Sequence, residues 1–256
     1  MKVFIVLTVL AVTIFIPAKA SIRGTGPGRS GVPRSASAAF LDTIPKAFCY
    51  YDVQSECSRQ SHTADVKLTN CNALYGKFGG IQSKLEQYAN ALIETSFKYL
   101  TVSSYFGNFE RNRMGLKRLY RKLSDEAWDD AKDLINFITL RGGEMHFDNR
   151  ATYWDSDKTR DLQVNENDLS ELERMSNVLD NYKMLADEAI KIQREVVKHT
   201  DADGSVAHYF EERFFKRQTK TVHTLSGYVN DLKRFFADAD ASLALFLFDE
   251  YLKTSV

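Results

Sequence analysis

Residues 116–143 read LKRLYRKLSDEAWDDAKDLINFITLRGG, and this stretch decides the fold. Leu116, Tyr120, Leu123, Ala127, Asp130, Leu134 and Phe137 recur at offsets of four and three, the spacing that puts side chains on one face of an α-helix. The spacing predicts a helix over about 116–140 with that stripe inward, and Gly142-Gly143 supplies its stop. Beside it runs a second stripe, Lys122, Asp125, Glu126, Asp129 and Asp133, adjacent to the core but outside it. An ordinary solvated acidic face is the plainest meaning of such a run.

Working outward, the same period returns three times. Leu85, Ala89, Leu92, Ser96, Tyr99, Ser103 and Phe106 predict a helix over about 81–106. A polar connection containing Trp154 follows the second helix; it is long for antiparallel neighbours and fits a crossover along a bundle. Asp168 with Glu171, or Ser170 with Glu173, forms a capping box that opens a third helix to about Lys198. Asp201-Ala202-Asp203-Gly204 breaks it. A fourth carries Val206, Phe210, Phe214, Gln218, Val222, Leu225, Val229, Leu232 and Phe236 on one stripe. A short fifth, about 242–252, is apolar almost all round, and its expected burial is between subunits. No strand pattern competes. The expected fold is all-α: an up-down-down-up four-helix bundle with a long crossover, plus the short C-terminal helix.

The N-terminus has a different character. Met1-Lys2, an apolar run from Val3 to Pro17 and then Ala18-Lys19-Ala20 have the form of a cleaved signal peptide, residues 1–20. The apolar run is shorter than the roughly 20 residues of a spanning helix, so no membrane association is expected after cleavage. Residues 21–45, rich in Gly, Ser, Pro and Arg, form a flexible extension. Residues 46–80 hold Cys49, Cys57 and Cys71, and 81–256 form the helical domain. In an oxidising compartment three cysteines imply one internal bridge and one thiol for another chain, with the connectivity open. No paired histidines accompany them to make a zinc site. The 34 basic and 34 acidic residues leave no bulk charge for binding nucleic acid.

From the first helix onward the chain resembles the ferritins. The matching runs are Tyr99-Leu100 with Tyr105-Phe106, Arg141-Gly142-Gly143, and Ser242-Leu243-Ala244 with Leu247-Phe248-Asp249. The leader, the cysteine cluster and Leu225-Ser226-Gly227-Tyr228 are most similar to the light-chain type that insects secrete. The resemblance implies a shell of 24 subunits, built from copies of this chain and heavy-chain partners, that stores iron as ferric mineral. It also implies passage through the endoplasmic reticulum and Golgi to the extracellular space.

Di-iron sites of this fold use inward carboxylates and Glu-x-x-His. This chain has no Glu followed three residues later by His. The family register puts the first-helix iron carboxylate at Leu92, the bridging carboxylate at Ala127 and the histidine ligand at Asp130. Tyr99 and Gln218 match residues lining such a centre, and as buried polar groups they need hydrogen-bond partners whether or not metal is bound. The third helix has too few anchors to place the family's carboxylate, and Asp180 and Asp187 are the two candidates for it. The expectation is a non-enzymatic subunit with no tightly bound catalytic metal. The resemblance further assigns Asp125, Glu126 and Asp129 to mineral nucleation on a cavity-facing surface, and His208 with Glu211 to the lining of an iron channel. Two alternatives stand beside it: an active ferrous oxidase with a non-standard ligand set, and a secreted four-helix signalling protein.

Overall fold

The computed structural model describes residues 48–58, 68–147, 170–198, 203–236 and 241–256. The expected signal peptide (1–20), the extension (21–45), Trp154 and Asp168 lie outside them. The helices are α1 (Cys49–Cys57), α2 (Phe78–Phe106), α3 (Met114–Leu140), α4 (Glu171–Lys198), α5 (Gly204–Phe210), α6 (Lys216–Phe236) and α7 (Ala241–Ser255). A π-helical turn, Glu211–Phe215, joins α5 to α6.

Helix α2 starts at Phe78, three residues before the period predicts. Two helical glycines, Gly79 and Gly80, cost about 1 kcal/mol each relative to alanine. Full burial of Phe78, worth roughly 1.5–3 kcal/mol, helps to offset that cost. All seven predicted inward residues of α2 are buried. In α3 six of seven are; Phe137 is half-buried and stacks on Tyr209, with centroids 4.1 Å apart. Ser170 and Glu173 form the capping box that opens α4: the Ser170 amide donates to Glu173 Oε2 (2.8 Å) and the Glu173 amide to Ser170 Oγ (3.3 Å).

Cross-helix pairs fix the directions. Ser103 meets Lys117 and Ser124 meets Ser96, so α2 and α3 are antiparallel. Tyr88 meets Leu185 and Tyr99 meets Asn181, so α4 also opposes α2 and runs parallel to α3. Gln193 meets Glu211, which turns the last long rod back again. This is the expected up-down-down-up order.

The last rod departs from a plain α-helix for a reason written in its stripe. Val206, Phe210, Phe214, Gln218 and Val222 come every fourth residue, and each step of four over-rotates an α-helix by about 40°. The wider π turn absorbs part of that drift, which keeps Phe210, Phe214 and Gln218 all buried. Beyond it the predicted stripe is only partly right. Leu225 and Leu232 are buried, Val222 and Val229 are half-buried, and Phe236 is exposed. Phe235 takes the inward role and packs edge-on to Phe248.

The short last helix differs from expectation as well. Leu245, Phe248 and Leu252 are buried against the chain's own bundle, while Leu243, Phe246, Leu247 and Tyr251 are each 50% or more exposed. Only this outer face is left for other subunits.

Candidate functional site

Helix α3 is held at both ends by residues of the recognised runs. At its start the Leu116 amide donates to Asp249 Oδ1 (2.9 Å), so a side chain of α7 caps α3. A Cβ on Gly115 would lie 1.9 Å from the Asp249 carbonyl oxygen, so that approach requires glycine. At its end Gly142 adopts φ +81°, and the amides of Gly142 and Gly143 close the last turn on Thr139 and Ile138.

Arg141, 3% exposed, forms a two-pronged ion pair with Asp203 (3.0 and 2.7 Å) and donates to the Tyr75 carbonyl (3.0 Å). Its guanidinium also lies 3.8 Å from the Tyr75 ring centroid. Asp203 in turn caps α5 through the Val206 amide. Arg141-Gly142-Gly143 is therefore a clasp between the N-terminal segment and the start of the last rod, beyond its role as a helix stop.

The middle of the bundle holds the predicted metal positions. Leu92, Ala127, Asp130 and Gln218 line one small cavity, together with Glu126, Tyr182, Leu185 and Arg217. Two cations close on Asp130: Arg217 contacts it directly, and Arg213 Nε lies 3.5 Å from Asp130 Oδ1 while its other end contacts Asp133. Burial holds the Arg217 guanidinium below its usual pKa, against the pull of Glu126, Tyr88 and Asp129. Gln218 Nε2 donates to Tyr88 Oη (2.6 Å), which donates to the Leu185 carbonyl (3.2 Å). Burial pushes the Tyr88 phenol well up. Gln218 Oε1 is buried with no hydrogen-bond partner among the described residues.

Tyr99 belongs to a neighbouring recess. It accepts from Asn181 Nδ2 (2.7 Å) and stacks on Tyr182 with centroids 6.0 Å apart. Neither Asp180 nor Asp187 turns inward: both are exposed, and Asp180 lies 3.6 Å from Lys183. The inward residues of that part of α4 are Asn181, Tyr182 and Leu185.

On the outer side of α3, Asp125, Glu126 and Asp129 share a groove with Lys117, Arg118, Arg121 and Lys122. Arg121 Nε holds both oxygens of Asp125 at 3.0 Å. Lys132 lies 2.7 Å from Asp129 and holds that carboxyl below its usual pKa. Glu126, half-buried, lines both this groove and the inner cavity.

His208 and Glu211, one turn apart in sequence, have different partners. His208 Nε2 lies 3.5 Å from Glu212, and Glu211 accepts from Gln193 (2.8 Å). Cys49 and Cys71 form a disulfide; Cys57 is free and exposed. The groups that the sequence stripe missed are Arg213 and Arg217. Arg213 and Arg217, four apart, meet Asp130 and Asp133, three apart, and that pairing is visible only once the facing register is known.

A model of the ferritin-like domain matches residues 82–235. The chain belongs to the ferritin family. It is 37% identical over 226 residues to a ferritin light chain of Trichoplusia ni, which covers 85% of this chain and 95% of that protein. It is 35% identical over 208 residues to a ferritin light chain of Drosophila melanogaster, covering 80% and 89%. The crystal structure of Trichoplusia ni secreted ferritin superposes with a TM-score of 0.73 at 36% identity, over 82% of this chain and 99% of that one. The four-helix bundle described above is thus the ferritin fold.

Proposed function

We propose that this chain is a light-chain-like iron-storage subunit of a secretory-pathway ferritin shell. It contributes to the shell and to ferric mineral nucleation, and it leaves Fe(II) oxidation to heavy-chain partners. The observation that carries the last point is the arginine pair on Asp130. Two iron ions need several anionic donors around a shared space. Here two walls are Leu92 and Ala127, guanidinium groups hold Asp130, and the half-buried Glu126 is the other carboxylate that lines the cavity. The donors present do not fit a di-iron centre, and iron is cargo for this subunit. A shell made only of this chain should therefore consume oxygen after Fe(II) addition no faster than buffer does. A saturable rapid phase at two irons per subunit, read with an oxygen electrode in the first seconds, would refute this.

Nucleation is assigned to Asp125, Glu126 and Asp129. Exposed ion pairs such as Arg121–Asp125 are screened by solvent and contribute little, so Fe(III), a hard cation that favours oxygen ligands, can compete for these carboxylates. His208 and Glu211 are assigned to the channel lining. The outer face of α7 supports assembly into a 24-subunit shell with copies of the chain and with heavy chains. The leader, residues 1–20, routes the chain through the endoplasmic reticulum and Golgi and out of the cell, and 21–45, 46–80 and 81–256 are its remaining units. The exposed Cys57 is assigned to a bond with a partner subunit. Peptide mapping without reduction should find it in a mixed-chain peptide; an unmodified Cys57 thiol would exclude that bond.

A further inference from the structure

The groove on α3 looks acidic in sequence, but four basic side chains line it beside three carboxylates. Asp125 is taken up by Arg121, and Asp129 by Lys132 from outside the groove. Glu126 faces Arg217 beneath it and favours that residue's charged form. On the basic side, Arg118 gives its Nη1 to the neutral Lys253 carbonyl (2.7 Å), where it closes the end of α7. That bond leaves its charge uncancelled. Lys117 and Lys122 make no ion pair with the described residues. Offsets of three and four make Lys117 and Arg121, Arg118 and Arg121, and Arg118 and Lys122 neighbours along α3, and all four line a single open recess with Val256.

We propose that this recess binds a tetrahedral oxyanion of the phosphate class, next to the carboxylates assigned above to ferric nucleation. Two ammonium groups and the remaining N–H groups of Arg118 are the donors that charge-assisted bonds to such an anion use. Phosphate oxygens are also hard ligands for Fe(III). An anion held here can bridge to iron on Asp125 or Glu126, so that the first mineral laid down contains phosphate. The bridging step rests on the nucleation assignment; the anion site does not.

The test uses assembled, iron-free shells and radiolabelled inorganic phosphate in equilibrium dialysis near physiological ionic strength. Saturable binding is expected, and K117Q/K122Q should weaken it by about tenfold or more. D125A/E126A/D129A should not weaken it. Arg118 is left intact because it closes α7. Native mass reports assembly; if the double variant fails to assemble, K122Q alone at an exposed position should lower affinity and K122R should restore it. Equal affinity in wild type and K117Q/K122Q overturns the proposal, as does phosphate uptake that appears only after iron loading. Intact phosphate binding combined with unchanged core growth in D125A/E126A/D129A removes the nucleation assignment and upholds the anion site.

Discussion

Arg141 with Asp203 and Arg213 and Arg217 with Asp130 join the same residue types in one bundle, yet they do different things. The first pair sits at the bundle's end, almost fully buried, with two parallel hydrogen bonds, a carbonyl contact and an aromatic ring over the guanidinium. The second lies at mid-height beside a cavity, with side chains about one-third exposed on the arginine side. Desolvating an ion pair is expensive unless its remaining hydrogen-bonding capacity is met. The clasp meets most of it, leaving Arg141 Nε without a partner among the described residues, and ties three chain segments together. The central cluster does not need to be a strong staple: its consequence is to place positive charge beside the cavity that the proposed function reads as unfit for two iron ions. Similar side chains thus secure the fold in one place and set the charge of a cavity in the other.

The largest effect expected from breaking this contrast is at the clasp. Asp203→Ala leaves Arg141 buried without its counter-ion and removes the α5 cap. It should cost about 3–5 kcal/mol, read by guanidinium unfolding of assembled shells. Arg141 hydrogen bonds also hold the Asp203 carboxyl below the ordinary carboxylate range. A folded pKa below the unfolded one gives stability that is complete above the unfolded value, about 3.9, and is lost as pH falls through the folded value. Asp203→Asn should lack this part of the acid dependence; an unchanged acid profile would show that the pair is not the cause.

The central cluster is sharpened by adding back charge with and without its arginine. Leu92→Glu with Ala127→Glu should remain a poor cation site while Arg217 is present, because the guanidinium competes for each new carboxylate. Adding Arg217→Ala should raise terbium affinity by about tenfold or more over the double variant, followed by luminescence against the parent shell. Equal affinity in the two variants would mean that Arg217 does not guard the cavity.

The smallest effect on stability belongs to the α3 surface. D125A/E126A/D129A should leave the unfolding midpoint nearly unchanged, because solvent screens exposed ion pairs. With the number of heavy chains per shell held fixed, initial oxidation should be normal and core growth slower. Equal growth and equal core size would make this face merely solvated.

The sequence by itself determined the number, order and approximate limits of the long helices, because a period of three and four is a local property and burial follows it. It also exposed the lack of Glu-x-x-His and, once the ferritin runs supplied a register, put the apolar Leu92 and Ala127 at positions read as the family's ligands. Only tertiary structure decided what surrounds Asp130. Arg213 and Arg217 lie on the flank of the predicted stripe, and a helix carries no local mark of which residue on the facing helix stands opposite. The same holds for Asp249 capping α3 from 133 positions away and for Arg141 reaching Asp203. Asp180 and Asp187 failed for the complementary reason: a carboxylate's type is visible in sequence, but the rotation of its helix is set by packing. The cysteine count fixed one internal bridge and one spare thiol, whereas the choice of Cys49 with Cys71 depends on which two come close when the segment folds.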